Sequence, residues 1–126
     1  MKKQSSISGC SPRPCPVKPS IKRRPLIEPG EAADLAALFK VLANDTRLRI
    51  LHTLARNSEL PATDVAKVVG MKPQAVSNQL QRLVDRGILG NRRDGNSIRY
   101  RIVDRCVVVL LERGLCLTED AKERRA

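Results

Sequence analysis

"ATDVAKVVGMKPQAVSNQLQRLVDRGIL", Ala62–Leu89, is the stretch on which the fold turns. Two apolar rows at helical spacing flank a glycine. Val65, Val68 and Val69 predict the buried face of a helix that begins near Pro61–Asp64 and stops at Gly70. A second helix starts at Lys72–Pro73, with proline in the first turn, where its missing N–H is harmless. It buries Val76, Leu80 and Leu83 and ends at Gly87, which suits a left-handed cap. Two short helices joined this tightly predict a helix-turn-helix, whose second helix would enter a DNA major groove.

Upstream, Leu35, Leu38, Phe39 and Leu42 recur at i, i+3, i+4 and i+7, which predicts a helix from Glu31. Asn44 or Asp45 can cap the next one, where Leu48, Leu51 and Leu54/Ala55 repeat the spacing. Downstream the period falls to two. Ile98, Tyr100 and Ile102 alternate with Arg99 and Arg101, and "ILGNRR" can pair with them through a turn at Asp94-Gly95-Asn96. A last helix, with Cys106 and Cys116 near its ends, starts at about Asp104. The expected fold is mainly α with a small β-hairpin, a winged helix-turn-helix.

Six of the eight prolines lie within Pro12–Pro29, so residues 1–30 read as a flexible, basic, Pro-rich tail. Residues 31–118 form the folded domain, and residues 119–126 read as a charged C-terminal tail. The net charge of +11 is unevenly placed. The tail holds seven Lys/Arg against one acid, whereas residues 31–60 and 102–126 each cancel internally. The remaining +5 lies in residues 61–101, across the two short helices and the hairpin. A positive field confined to one folded stretch suits a nucleic-acid surface.

The outward residues of the second helix are Gln74, Ala75, Ser77, Asn78, Gln81 and Arg82. Gln and Asn can read adenine, Arg can read guanine, and Ala can touch a thymine methyl. Lys72 and Arg82 are better placed for phosphate, and Arg92, Arg93 and Arg99 would let the hairpin act as a wing on the backbone or minor groove. Each residue taken singly is an ordinary solvated side chain; the combination points to double-stranded DNA. No acid/base pair, phosphate loop or nucleophile constellation is visible, and the lone His52 reads as structural, so no enzyme and no small organic substrate are expected. No apolar run approaches the ~18–20 residues of a membrane span. A cytoplasmic setting is expected, where thiols stay free more often than not.

Three segments, "LFKVLANDTRLRILHTL", "ATDVAKVVGMKPQAVSNQLQRLVDRGIL" and "RRDGNSIRYRIV", resemble the ArsR/SmtB family of bacterial metal-responsive repressors over about residues 32–118. The resemblance implies a winged-helix homodimer, with the first and last helices at the interface. It also implies an apo repressor on operator DNA that leaves when metal binds.

Cys106 and Cys116 are ten residues apart, a rise of ~15 Å on a helix, too far for a disulfide or a shared metal within one chain. Antiparallel pairing of two such helices in a dimer would set Cys106 of one chain beside Cys116 of the other. Some relatives bind metal there through an Asp-x-His pair and a His-x-x-acid pair. The matching residues here are Asp104-x-Cys106 and Cys116-x-x-Glu119, one residue closer together than in that pattern. Asp104 and Glu119 therefore read first as a helix N-cap and a solvated charge. Relatives with "ELCVCDL" use another site, and this chain has "ELPATDV" instead. Thiolates select soft ions, with mercury(II) first, arsenic(III) next, then cadmium and lead. Cys15, or Cys10, in the tail "CSPRPC" would supply a third sulfur. The alternative is a repressor of the same fold that senses thiol oxidation or persulfide through an intersubunit disulfide. The bland reading makes the helix cysteines small buried hydrophobes.

Overall fold

The structure, a computed structural model, describes residues 18–125. Helix α1 (Pro29–Leu42) is followed by α2 (Asp45–Arg56), a two-residue strand β1 (Leu60–Pro61), α3 (Ala62–Val69) and α4 (Pro73–Asp85). Strands β2 (Leu89–Asp94) and β3 (Ser97–Ile102) form the hairpin, and α5 (Arg105–Arg125) closes the order. The two short helices and the basic hairpin are where the periodicity placed them.

The helix ends have local causes. A capping box starts α1: the Glu28 backbone N–H donates to Glu31 Oε1 at 2.9 Å, and Pro29 fills the first turn. The helix therefore begins two residues before Glu31. Asn44 Oδ1 accepts the Arg47 N–H at 3.0 Å and caps α2. Gly70, at φ 71°, terminates α3 in the left-handed region. At the end of α4, Ile88 N–H donates to Leu83 O and Gly87 N–H to Val84 O, a Schellman cap that the positive φ of Gly87 permits.

β2 and β3 pair antiparallel from Leu89↔Ile102 to Asp94↔Ser97, so the turn falls at Gly95-Asn96. β1 adds to the other edge of β3 through Leu60↔Tyr100 and Pro61↔Arg99, which makes the sheet order β1-β3-β2. The hairpin is thus part of a three-stranded sheet. Pro61 can sit there because β1 is an edge strand, where a missing N–H is tolerated.

One aliphatic core joins α2, α3, α4 and the sheet. Ile50, Leu51, Leu54, Val65, Val76, Leu80 and Leu83 are fully buried, with Ile88, Leu89, Tyr100 and Ile102 closing the sheet side. In α3 the buried residues are Val65, Ala66 and Val69, while Val68 is 58% exposed. At ~100° per residue the buried arc is centred between Val65 and Ala66, and Val68 lies outside it.

The outer helices behave differently. α1 buries only Leu42, and its apolar row remains open, with Leu35 44% and Phe39 46% exposed. α5 packs on α2 and β3 and buries no residue at all. It is one helix of 21 residues that runs past Gly114 and on through residues 119–125. A helix-interior glycine costs only ~1 kcal/mol, which the rest of the helix offsets. Among the described residues no helix is long and apolar enough to cross a membrane.

Candidate nucleic-acid interface and sensory helix

Core packing of Val76, Leu80 and Leu83 fixes which side of α4 turns outward. Lys72, Gln74, Asn78, Gln81 and Arg82 are exposed, and Ala75 and Ser77 are half-buried at the margin of the same face. Two side-chain pairs one turn apart organise it: Gln74 Nε2 donates to Asn78 Oδ1 at 3.2 Å, and Gln81 Nε2 to Asp85 Oδ1 at 2.9 Å. Both pairs keep further donors and acceptors that can meet base edges. The first turn of α4 holds no acid, so its positive helix end is left for phosphate.

On the wing, Arg92 and Arg99 sit directly opposite each other across β2 and β3. Like charges in that register repel. Each is met by an acid: Arg92 donates to both carboxylate oxygens of Glu59, and Arg99 Nε donates to Asp94 Oδ2 at 3.0 Å. The Glu59 side chain is 6% exposed against 50% for Arg92, so this pair ties the wing to the segment before β1. Arg93 projects to the other face, opposite Ile98, and has no ion-pair partner among the described residues. Of the three wing arginines expected to meet DNA, Arg93 is the one whose charge is not already engaged. Asp94 was legible as a neighbour of Arg99 once the turn was placed. Glu59 was not, because 33 residues separate it from Arg92.

Behind this surface, α1, α2 and α5 enclose an apolar groove of about 500 Å³, lined by Phe39, Leu48, Leu51, Leu110, Leu111 and Leu115 among others. His52 is exposed on its wall. The part of α5 that lines the groove runs from Val107, next to Cys106, to Thr118, just past Cys116. Cys116 is a free, exposed thiol. Cys106, in the first turn of α5, is a disulfide-forming rather than a free cysteine. Cys10 and Cys15 lie outside the described residues. Asp104 acts as a start signal for α5, its Oδ1 accepting the Cys106 N–H at 2.8 Å, and Glu119 is exposed further along. Among the described residues no three or more His, Cys, Asp and Glu side chains are grouped to hold a metal ion. The donor chemistry suits a soft ion, but one chain's α5 spreads the donors along the helix axis.

An exposed polar helix face on a helix-turn-helix, beside a basic hairpin, defines a winged helix-turn-helix DNA-binding protein. Comparison with known proteins agrees. Residues 42–89 match the model of a helix-turn-helix domain family. The HTH-type transcriptional regulator NmtR of Mycobacterium tuberculosis is 41% identical over 88 residues, covering 70% of this chain and 72% of that protein. The crystal structure of the antimony-specific transcriptional repressor AntR is similar with a TM-score of 0.74 and 62% identity, over 86% of this chain and 98% of that one. A homodimeric winged helix-turn-helix DNA-binding domain from Mycobacterium bovis, solved in solution, is similar with a TM-score of 0.67 and 31% identity, over 79% and 94%. The chain belongs to the ArsR/SmtB family of metal-responsive transcriptional repressors and is a DNA-binding regulator, not an enzyme.

Proposed function

We propose that the protein is a homodimeric repressor in the bacterial cytoplasm that occupies operator DNA and releases it when a thiophilic ion binds across the dimer interface. The observation that carries the reading is α5: a long helix with an open apolar face and a cysteine near each end of that face. A second copy is the natural cover for that face, and the similar M. bovis domain is homodimeric. Antiparallel packing of two α5 helices brings Cys106 to the partner's Cys116 and turns two separated sulfurs into two symmetric dithiol sites. Cys15 or Cys10 would complete a three-sulfur set.

Sequence chemistry alone ranks mercury(II) first. The 62% identity to an antimony-specific repressor moves trivalent antimony and arsenic ahead of it, since three thiolates suit a three-coordinate ion. On the DNA side, Gln74, Asn78 and Gln81 would read bases, while Lys72, Arg82 and Arg93 would hold phosphates. Ala75 and Ser77 would support the edge of that contact, with Arg92 and Arg99 shaping the wing. Release requires that the two dimer states bind the ion with different affinity. The state clamped between the α5 helices would lose the ~34 Å spacing of recognition helices that successive major grooves demand.

The exposed thiol of Cys116 would also serve a second reading, a repressor of the same fold that responds to thiol oxidation through an intersubunit disulfide. The deciding experiment is operator binding by fluorescence anisotropy with reduced protein. It is titrated with antimonyl tartrate, arsenite, mercury(II), cadmium and zinc, beside Cys106→Ser/Cys116→Ser. Release of the wild type by a soft ion, with the double variant staying bound, supports the metal reading. A wild type that stays bound through every ion but is released by peroxide supports the oxidation reading.

A further inference from the structure

In the first turn of α2, Arg47 reaches in two directions. Its Nη1 donates to Val41 O at 3.0 Å, one of the final carbonyls of α1 that the helix itself leaves unfilled. Its Nε donates to Gln79 Oε1 at 2.8 Å, in the middle of α4 and on the half-buried side of that helix. A guanidinium is a rigid planar fork, so both acceptors are held in one fixed relation. The Val41 carbonyl belongs to α1, part of the open apolar layer, whereas Gln79 belongs to the recognition helix. Two residues on, Arg49 lines the groove and donates to Val69 O at 3.1 Å, at the end of α3.

We propose that Arg47 is a positioning residue for operator binding: through Gln79 it sets the tilt of α4 against the end of α1, and through this link the state of the dimer layer reaches the DNA-reading face. The proposal rests on the repressor reading above. A shift of α1 in the clamped dimer moves the Val41 carbonyl. The guanidinium must then follow it and pull on Gln79, or release one of its two acceptors. In either case α4 loses the orientation it holds in the apo protein.

The test is a double-mutant cycle of operator affinity in reduced apo protein, using Arg47→Lys, Gln79→Met and the double variant, followed by titration with antimonyl tartrate. Lysine keeps the charge without the fork, and methionine keeps the length without the acceptor. Each single variant is expected to bind operator about tenfold more weakly, the double variant no more weakly than either, with melting temperatures near that of the wild type. The ratio of operator affinities without and with the ion is expected to fall toward one in all three. Additive losses, or wild-type affinity and an unchanged ratio in both single variants, would overturn the proposal. If Arg47→Lys folds poorly, Gln79→Met decides alone through the same two readings. A wild type that antimony does not release counts against the proposed effector, and the apo cycle still decides whether Arg47 positions α4.

Discussion

Arg92 and Arg93 are adjacent and look interchangeable in sequence, yet the structure assigns them different work. Arg92→Ala removes the guanidinium that meets Glu59, whose side chain is 6% exposed. Breaking a fully buried ion pair costs ~3–5 kcal/mol. Arg92 itself is half exposed, so water screens the pair and a loss of about 1–2 kcal/mol is the better figure. For a domain of this size that lowers the melting temperature by roughly 5–15 °C. Arg93→Ala breaks no ion pair among the described residues and should leave stability unchanged, while the proposed DNA contact would lose one phosphate-binding cation per protomer. Its mark is a shallower salt dependence of operator binding, the log–log slope falling by about 1 for each phosphate no longer neutralised. The assay pairs thermal melts with anisotropy titrations from low to physiological salt. Glu59→Gln combined with Arg92→Ala should lose less stability than the two single changes summed. If Arg92→Ala melts with the wild type and flattens the salt slope as Arg93→Ala does, the ion pair is irrelevant in solution. Arg92 would then be an ordinary DNA-binding arginine.

Three further outcomes are expected. A Cβ at Gly90 would lie 2.6 Å from Val103 Cγ1, so Gly90→Ala should cost about 1–3 kcal/mol in thermal melts and regain part of it with Val103→Ala; no loss would mean that β2 and the link after β3 can separate freely. Asn44→Ala should lower stability by about 1 kcal/mol through loss of the α2 cap, with an unchanged melt counting against that hydrogen bond. Leu110→Asp/Leu117→Asp should convert a dimer to a monomer in sedimentation, because two carboxylates would be buried in the α5 interface; a dimer that persists would place the interface elsewhere.

Much of the fold was legible because its signals are local. The glycine caps at Gly70 and Gly87, the Asn44 cap and the turn after Asp94 each depend on residues a few positions apart, and each is where the sequence puts it. The polar face of α4 was legible for the same reason, since burying Val76, Leu80 and Leu83 leaves little choice about what faces out. α3 was harder to read. Three valines at compatible spacing suggested one face, but an eight-residue helix has room for several such choices, and the core selected Ala66 over Val68. β1 is invisible to local pattern because two residues with a proline carry no period; only the free edge of β3 makes them a strand.

By itself, then, the sequence determined the order of the helices, the helix-turn-helix, the hairpin and the sign of the DNA-facing surface. All of these follow from propensity, period and charge within short windows. Tertiary structure alone decided that Arg92 is engaged by Glu59, that Arg47 joins the end of α1 to the recognition helix, and that α5 keeps an open apolar face. The contacts that matter, Arg47 to Gln79 and Arg92 to Glu59, join residues 32 and 33 positions apart, and the open face is a surface that a single chain leaves uncovered. Local pattern has no means of encoding either, because both depend on where packing sets one helix against another.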